Sequence, residues 1–122
     1  MGFELKAVQA LDLWRGAIVE SVRREAPDLS ARQMALLLTV YLTPPPHTVR
    51  GLATTLNISK PAITRALDRL SDYGLVRRKV DEADRRSVLI QRTVKGSVFL
   101  REFGDIIVTA AAAGSDGEPS AG

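Results

Sequence analysis

The sequence predicts a mainly α-helical α+β domain of five helices with one small β-hairpin, in the order typical of a winged helix-turn-helix. Three features of the stretch Thr48–Arg92 carry this prediction. Two short helical patterns are separated by a turn of three or four residues, a glycine follows the second of them, and two β-prone runs then enclose a charged tip. The other helical patterns lie before and after this stretch.

Length and composition favour a single domain. The chain has 122 residues, of which 45% are hydrophobic, which suffices for a modest core over residues 1–113. Residues 114–122, with the sequence GSDGEPSAG, are predicted to form a disordered tail. The chain has no cysteine, no apolar run long enough to cross a membrane and no recognisable signal sequence, so we expect a cytoplasmic protein without disulfides or thiolate metal sites.

The first helix is predicted over residues 3–26. Its apolar positions, among them Leu11, Trp14 and Val22, recur at helical spacing, and Pro27 ends the pattern. Further apolar residues widen the stripe beyond what one neighbouring helix would cover. We therefore expect this helix to contact a second subunit as well as the core of its own chain.

The second helix is predicted over Ala31–Leu42. Ser30 and Gln33 have the spacing of a capping box, and most of the positions that follow are apolar, as in the buried centre of a domain. Three consecutive prolines then force an extended connector that ends at His47. We interpret His47 as an exposed or capping residue rather than as a pH sensor or a ligand.

The helix predicted over Lys60–Tyr73 has the features of a DNA-recognition helix. Ser59 is its N-cap candidate, and Gly74 follows where a helix needs a left-handed residue. The candidates for DNA contact at its start and on its polar face are Ser59, Lys60, Pro61, Thr64, Arg65 and Arg69. Cationic and hydroxyl side chains at the N-terminal end of a helix suit a major groove and its phosphates, although an ordinary solvated face would show the same pattern.

The charged tip of the hairpin predicts a wing that contacts DNA. Arg85 and Arg86 lie in this tip, and guanidinium groups are drawn to the negative potential of the minor groove. The stretch Thr48–Arg92 holds ten Lys/Arg against five Asp/Glu and so carries +5, whereas the rest of the chain carries −2. Positive charge concentrated in this way is typical of a protein that binds a polyanion.

These residues resemble the MarR family of bacterial transcription regulators. The resemblance rests on SKPAITRALDRLSDYGLVRR and DEADRRSVLIQRTVKG and spans roughly Leu36–Leu100. It implies that Arg86 enters the minor groove, that Asp84 helps to hold the wing loop, and that the start of the recognition helix contacts bases and phosphates. It also implies a very short strand that pairs with the wing, which the prolines would limit to little more than His47 and Thr48.

The resemblance further implies a homodimer and a small-molecule effector. The family usually has a long fifth helix and a sixth, whereas one helix, over residues 93–113, is predicted after the wing here. We therefore expect the dimer to rest on that helix and on the first one. Trp14 and Tyr41 are candidates for a pocket that binds an aromatic or phenolic ligand; packing of both in the core is the alternative, and the favoured, interpretation.

The expected function is regulation of transcription by sequence-specific binding to a pseudo-palindromic site in double-stranded DNA, with repression as the default mode. A winged helix that serves as a protein-interaction or dimerisation module is the alternative. The sequence has no Gly-rich phosphate loop, no paired His and carboxylate spacing and no cysteine nucleophile. Neither an enzyme nor a cofactor is therefore predicted.

Overall fold

The computed structural model describes residues 6–116, and its helices and strands follow the order predicted for a winged helix-turn-helix. The elements are α1 Ala7–Arg23, α2 Ala31–Leu42, β1 His47–Thr48, α3 Val49–Leu56, α4 Lys60–Asp72, β2 Val76–Val80, β3 Val88–Arg92 and α5 Val94–Asp116. They divide into two compact units. We call Leu29–Leu100 the winged-helix unit, and the described parts of Met1–Asp28 and Arg101–Gly122 the terminal unit.

The core of the winged-helix unit is built from α2, α3, α4 and the sheet. Its fully buried large side chains are Leu36, Leu37, Val40, Leu52, Ile63, Leu67, Leu70 and Leu75. Helix α2 begins at a capping box in which Ser30 Oγ accepts from the Gln33 N–H and Gln33 Oε1 accepts from the Ser30 N–H, at 3.1 and 2.9 Å. The predicted bounds of α2 and its central position are thus confirmed.

The sheet has three antiparallel strands in the order β1-β3-β2, so β3 is the central strand. Strand β1 pairs His47 with Ile90 and Thr48 with Leu89, and these two residues are its whole length, as predicted. Thr48 is also the N-cap of α3, because its Oγ1 accepts from the Gly51 N–H at 3.0 Å. Thr48 therefore takes part in the sheet and also caps the first helix of the helix-turn-helix.

The terminal unit contains α1 and most of α5. Ala17, Phe103 and Ile106 are buried, and the Trp14 ring meets the Phe103 ring edge to face with centroids 6.1 Å apart. Among residues 6–116, no helix combines the length and the apolar character that crossing a bilayer would require.

Four helix ends and one side chain differ from the sequence-based expectations. Helix α1 begins at Ala7, with Lys6 as an extended N-cap, rather than at residue 3, and α4 ends at Asp72, one residue before Tyr73. Helix α1 ends at Arg23 rather than at residue 26, because Glu25 takes a left-handed conformation with φ of 58°. Helix α5 continues to Asp116, so the predicted tail is helical at its first three residues. Residues 1–5 and 117–122, to which the predicted first helix and tail extend, lie outside the described part.

His47 is the side chain that differs. The sequence predicts an exposed or capping residue, but His47 is buried at 9% exposure, and its Nε2 lies 3.2 Å from the carbonyl oxygen of Thr43, the C-cap residue of α2. The pairing of β1 with β3 carries it into the interior, a contact between segments more than 40 residues apart in the chain.

Candidate nucleic-acid interface

Local signals at both ends fix the length of α4. At its start, Ser59 Oγ accepts from the Ala62 N–H at 3.2 Å, which satisfies one of the free amides of the first turn. At its end, Gly74 has a φ of 75°, and the Leu75 N–H bonds back to the Leu70 carbonyl oxygen at 2.9 Å. The helix therefore stops sharply, and Leu75 turns into the core before β2 begins.

Helix α4 buries one apolar face and exposes a mainly polar one, with Pro61 as the apolar residue on the exposed face. Ala62, Ile63, Ala66, Leu67 and Leu70 are buried. The predicted DNA contacts Ser59, Lys60, Pro61, Thr64, Arg65 and Arg69 are all exposed. Ser59 and Lys60 lie at the start of the helix, where the dipole is positive, which favours an anionic partner there, whereas Arg69 lies in the last turn.

The far half of the exposed face is partly engaged within the fold. The Arg69 guanidinium lies 5.4 Å from the centroid of the Tyr73 ring. Asp68 forms an ion pair with Arg78 of β2, with Asp68 Oδ1 and an Arg78 guanidinium nitrogen 2.8 Å apart. The N-terminal half of α4 therefore presents its charges outward, whereas the C-terminal half also connects to the wing.

Asp84 organises the wing tip through its own backbone and side chain. Its Oδ1 accepts from the Arg86 N–H at 3.1 Å, its Oδ2 accepts from the Ser87 hydroxyl at 3.3 Å, and its carbonyl oxygen accepts from the Ser87 N–H at 2.8 Å. The Asp81 N–H closes the loop on the Ser87 carbonyl oxygen at 3.0 Å. These contacts form a compact turn of the kind that an Asp at its first position favours.

The two arginines at the tip differ in their surroundings. The Arg86 side chain is 95% exposed, and its Nε lies 3.6 Å from Asp84 Oδ1. Arg85 is 76% exposed and lies 3.7 Å from a Glu82 carboxylate oxygen. The structure thus places both predicted side chains in solvent at the end of the hairpin, with Arg86 the more exposed of the two.

The wing also carries basic residues that the sequence-based site assignment left out. Arg77 and Lys79 are two residues apart on β2, so both lie on the same face of the strand, opposite to Val76, and both are exposed. Arg77 donates to Gln91 Oε1 on β3 at 3.1 Å, which holds its guanidinium against the strand. The run of three consecutive basic residues from Arg77 to Lys79 was the sequence feature that could have identified these positions.

Tyr41 and Trp14, the two candidates for a ligand pocket, each have partners in the protein. The Tyr41 hydroxyl donates to the Leu75 carbonyl oxygen and accepts from the Thr93 N–H, both at 2.8 Å, within the winged-helix unit. Trp14 belongs to the terminal unit, packs on Phe103 and keeps 46% of its surface exposed.

Comparison with solved structures shows the same fold in other proteins. A MepR variant from S. aureus bound to an oligodeoxyribonucleotide matches with a TM-score of 0.77 and 19% identity, over 91% of this chain and 79% of that one. RV1404 from Mycobacterium tuberculosis matches with a TM-score of 0.75 and 21% identity, over 97% and 85%. The transcriptional regulator Tm0710 from Thermotoga maritima matches with a TM-score of 0.71 and 20% identity, over 89% and 75%.

The family model of MarR matches residues 29–88, which cover α2, the helix-turn-helix, β2 and the wing tip. This region contains all the residues predicted to contact DNA. Together with the fold of the matching structures, the family match confirms the resemblance drawn from the recognition helix and the wing. Members of this family are transcriptional regulators and not enzymes. The chain belongs to the MarR family of winged helix-turn-helix transcriptional regulators.

Proposed function

We propose that the protein binds double-stranded DNA sequence-specifically as a homodimer and represses transcription in the cytoplasm. One observation carries the proposal: the exposed start of α4, with Lys60, Thr64 and Arg65, and the exposed Arg86 of the wing belong to one compact unit. A helix enters a major groove while a wing follows the neighbouring minor groove, and this pair of elements supplies both parts. The fold shared with DNA-bound MepR supports the same assignment.

The composition of the α4 face argues against a protein-interaction module. A protein-binding surface would be expected to have an apolar centre with few lysines and aspartates. Pro61 is the one apolar residue on the exposed face of α4, which otherwise carries hydroxyl and charged groups. The stretch from Thr48 to Arg92 also carries +5, which suits phosphate contacts and counterion release.

The homodimer in this proposal rests on α1 and α5, and an apolar stripe of α1 supports it. Val8, Leu11, Ile18 and Val22 fall within one side of the helix, and Val8, Leu11 and Val22 are 75%, 68% and 68% exposed in the single chain. Exposed large apolar side chains at helical spacing are typical of a surface that another helix covers. A two-fold pair would place two recognition helices about one DNA turn, roughly 34 Å, apart.

Repression and its relief complete the proposal. A dimer bound across a promoter would exclude polymerase sterically. A small aromatic or phenolic ligand would relieve repression by binding more tightly to a form of the dimer whose recognition helices are spaced wrongly for DNA than to the form that fits DNA. The size of the effect is limited by that difference in affinity. Trp14 is the chain's one tryptophan and is half exposed, so its fluorescence offers a direct probe for such a ligand.

The test is binding of the purified chain to a labelled duplex carrying its own upstream region, at two salt concentrations and with competitor DNA. Light scattering on the same sample gives the mass. Tight, salt-sensitive and sequence-selective binding by a species of twice the chain mass is expected. A monomer that binds no duplex selectively would refute the proposal and favour a role in protein contacts.

A further inference from the structure

Both ends of the wing hairpin are held by one side-chain oxygen. Leu75 immediately precedes β2, and Thr93 immediately follows β3. The Tyr41 hydroxyl, on α2, donates to the Leu75 carbonyl oxygen at 2.8 Å and accepts from the Thr93 N–H at 2.8 Å. It also lies 3.2 Å from the Thr93 carbonyl oxygen. A phenol from outside the hairpin therefore bridges the two residues from which the hairpin projects.

Neighbouring residues make further hydrogen bonds at the base of the hairpin, the region around Leu75, Thr93 and Tyr41 that we call the junction. The Thr93 hydroxyl donates to the Gly74 carbonyl oxygen at 2.8 Å and accepts from the Gly96 N–H at 2.9 Å, which caps α5. Arg92, the last residue of β3, donates to the carbonyl oxygens of Val40 and Thr43 at 3.0 and 3.2 Å, at the end of α2. Its guanidinium lies 5.8 Å from the centroid of the Tyr41 ring.

Gly96 has no side chain because the junction leaves no room for one. A Cβ added at this position would overlap the Tyr41 hydroxyl oxygen and the Leu75 carbonyl oxygen. Gly96 is buried and helical, so the requirement comes from close packing and not from an unusual backbone angle. The Thr-x-x-Gly spacing of Thr93 and Gly96 is therefore explained by contact with a tyrosine more than 50 residues earlier in the chain.

From this geometry we infer that Tyr41 is a positioning residue that sets the direction of the wing and so the placement of Arg86. The inference rests on the proposed function in that the wing is taken to contact DNA. Strand β2 has five residues, or about 17 Å at 3.3 Å per residue, so a rotation of about 10° at its base moves the tip by about 3 Å. A shift of about 3 Å equals the full length of a hydrogen bond.

Two other contacts brace the wing from the side. Strand β1 pairs with β3, and the Asp68–Arg78 ion pair joins β2 to α4. Both contacts lie along the length of the strands, whereas the hydrogen bonds of Tyr41 lie at the base of the hairpin, where it leaves the core. Loss of the Tyr41 hydroxyl is therefore expected to loosen the direction of the wing while its strands stay paired.

The test variant is Tyr41→Phe, which removes the hydroxyl and keeps the ring beside Arg92. Its matched control is Tyr73→Phe, because Tyr73 is also half buried and also has an arginine, Arg69, over its ring. Hydrogen exchange of the full chain without DNA is measured first. In Tyr41→Phe, exchange in β2 and β3 is expected to rise about tenfold, with α4 and the control unchanged. Unchanged wing exchange, or an equal rise in α4, would overturn the inference.

A second arm uses a double-mutant cycle on DNA affinity. Tyr41→Phe is expected to weaken binding about three- to tenfold, and Arg86→Ala is expected to weaken it less in the Tyr41→Phe background than in the wild type. Strictly additive losses would mean that Tyr41 does not act through the wing. A wild-type chain that binds no duplex selectively would refute the proposed function and the DNA part of this inference, and the exchange arm would still decide whether Tyr41 positions the wing.

Discussion

Replacing Arg86 with alanine is expected to weaken DNA binding strongly and to leave stability nearly unchanged. The side chain is 95% exposed, and its one ion pair, at 3.6 Å to Asp84, is of the exposed kind that contributes little. The Asp84 carboxylate keeps its bonds to the Arg86 N–H and to the Ser87 hydroxyl, because neither involves the Arg86 side chain. The free energy of unfolding should therefore change by no more than about 0.5 kcal/mol.

The loss of affinity follows from what the guanidinium would contact. An arginine inserted in a minor groove that loses its contacts should cost about 1–3 kcal/mol, which is roughly a 5- to 150-fold rise in Kd. The assay is fluorescence anisotropy with a labelled upstream duplex at fixed salt, with urea unfolding on the same preparations. Arg15→Ala is the matched control, because it removes the same charge from an exposed, ion-paired position on α1.

Two results would refute this reasoning. Wild-type affinity in the Arg86 variant would show that the wing tip does not contact DNA. An equal loss of affinity in the Arg15 variant would show that net charge alone accounts for the effect and that the position of the guanidinium is irrelevant.

Three further predictions concern the recognition helix, the dimer and the junction at α5. Lys60→Ala should weaken binding to all sequences alike and lower the slope of log K against log salt by about 0.9, and an unchanged slope would exclude a phosphate contact. Leu11→Glu places a charge in the exposed α1 stripe and should halve the mass found by light scattering, whereas a mass still twice that of the chain would locate the dimer interface elsewhere. Gly96→Ala should lower the free energy of unfolding by about 2–4 kcal/mol in urea titrations, because the new methyl group overlaps Tyr41 and breaks its hydrogen bonds. Gly104→Ala is its control, since a Cβ there meets nothing within 4 Å. This control should stabilise the helix by about 0.5–1 kcal/mol. Equal effects of the two changes would show that close packing against Tyr41 is not what requires a glycine at position 96.

Features determined by neighbouring residues were predictable from the sequence. The start of α4 depends on Ser59 and its end on Gly74, and both act within one helical turn. The same holds for the Ser30–Gln33 capping box and for the bounds of α2. The separation of buried and exposed faces on α4 also followed from residue spacing alone, because a helix has a fixed period.

Three other features were not predicted from the sequence patterns. Pro27 sets only the last possible end of α1, and the left-handed turn at Glu25 ends it earlier. Helix α5 runs through Gly114 because the preceding alanines have the highest helix propensity, which outweighs one glycine near a helix end. The role of Tyr41 depends on contacts with Leu75 and Thr93, which no local pattern reveals.

The closure of the wing tip has a consequence for how regulators of this kind diversify. The loop from Asp81 to Ser87 is closed by hydrogen bonds among its own residues, and the ladder from Val76 to Arg92 is complete without it. Under the proposed function, a change of sequence in this loop would thus alter the contact of the wing with the minor groove without disturbing the register of the strands. An insertion at Thr48 would shift a strand and a helix together. We therefore expect sequence differences between related regulators to be frequent in the loop from Asp81 to Ser87 and rare at Thr48.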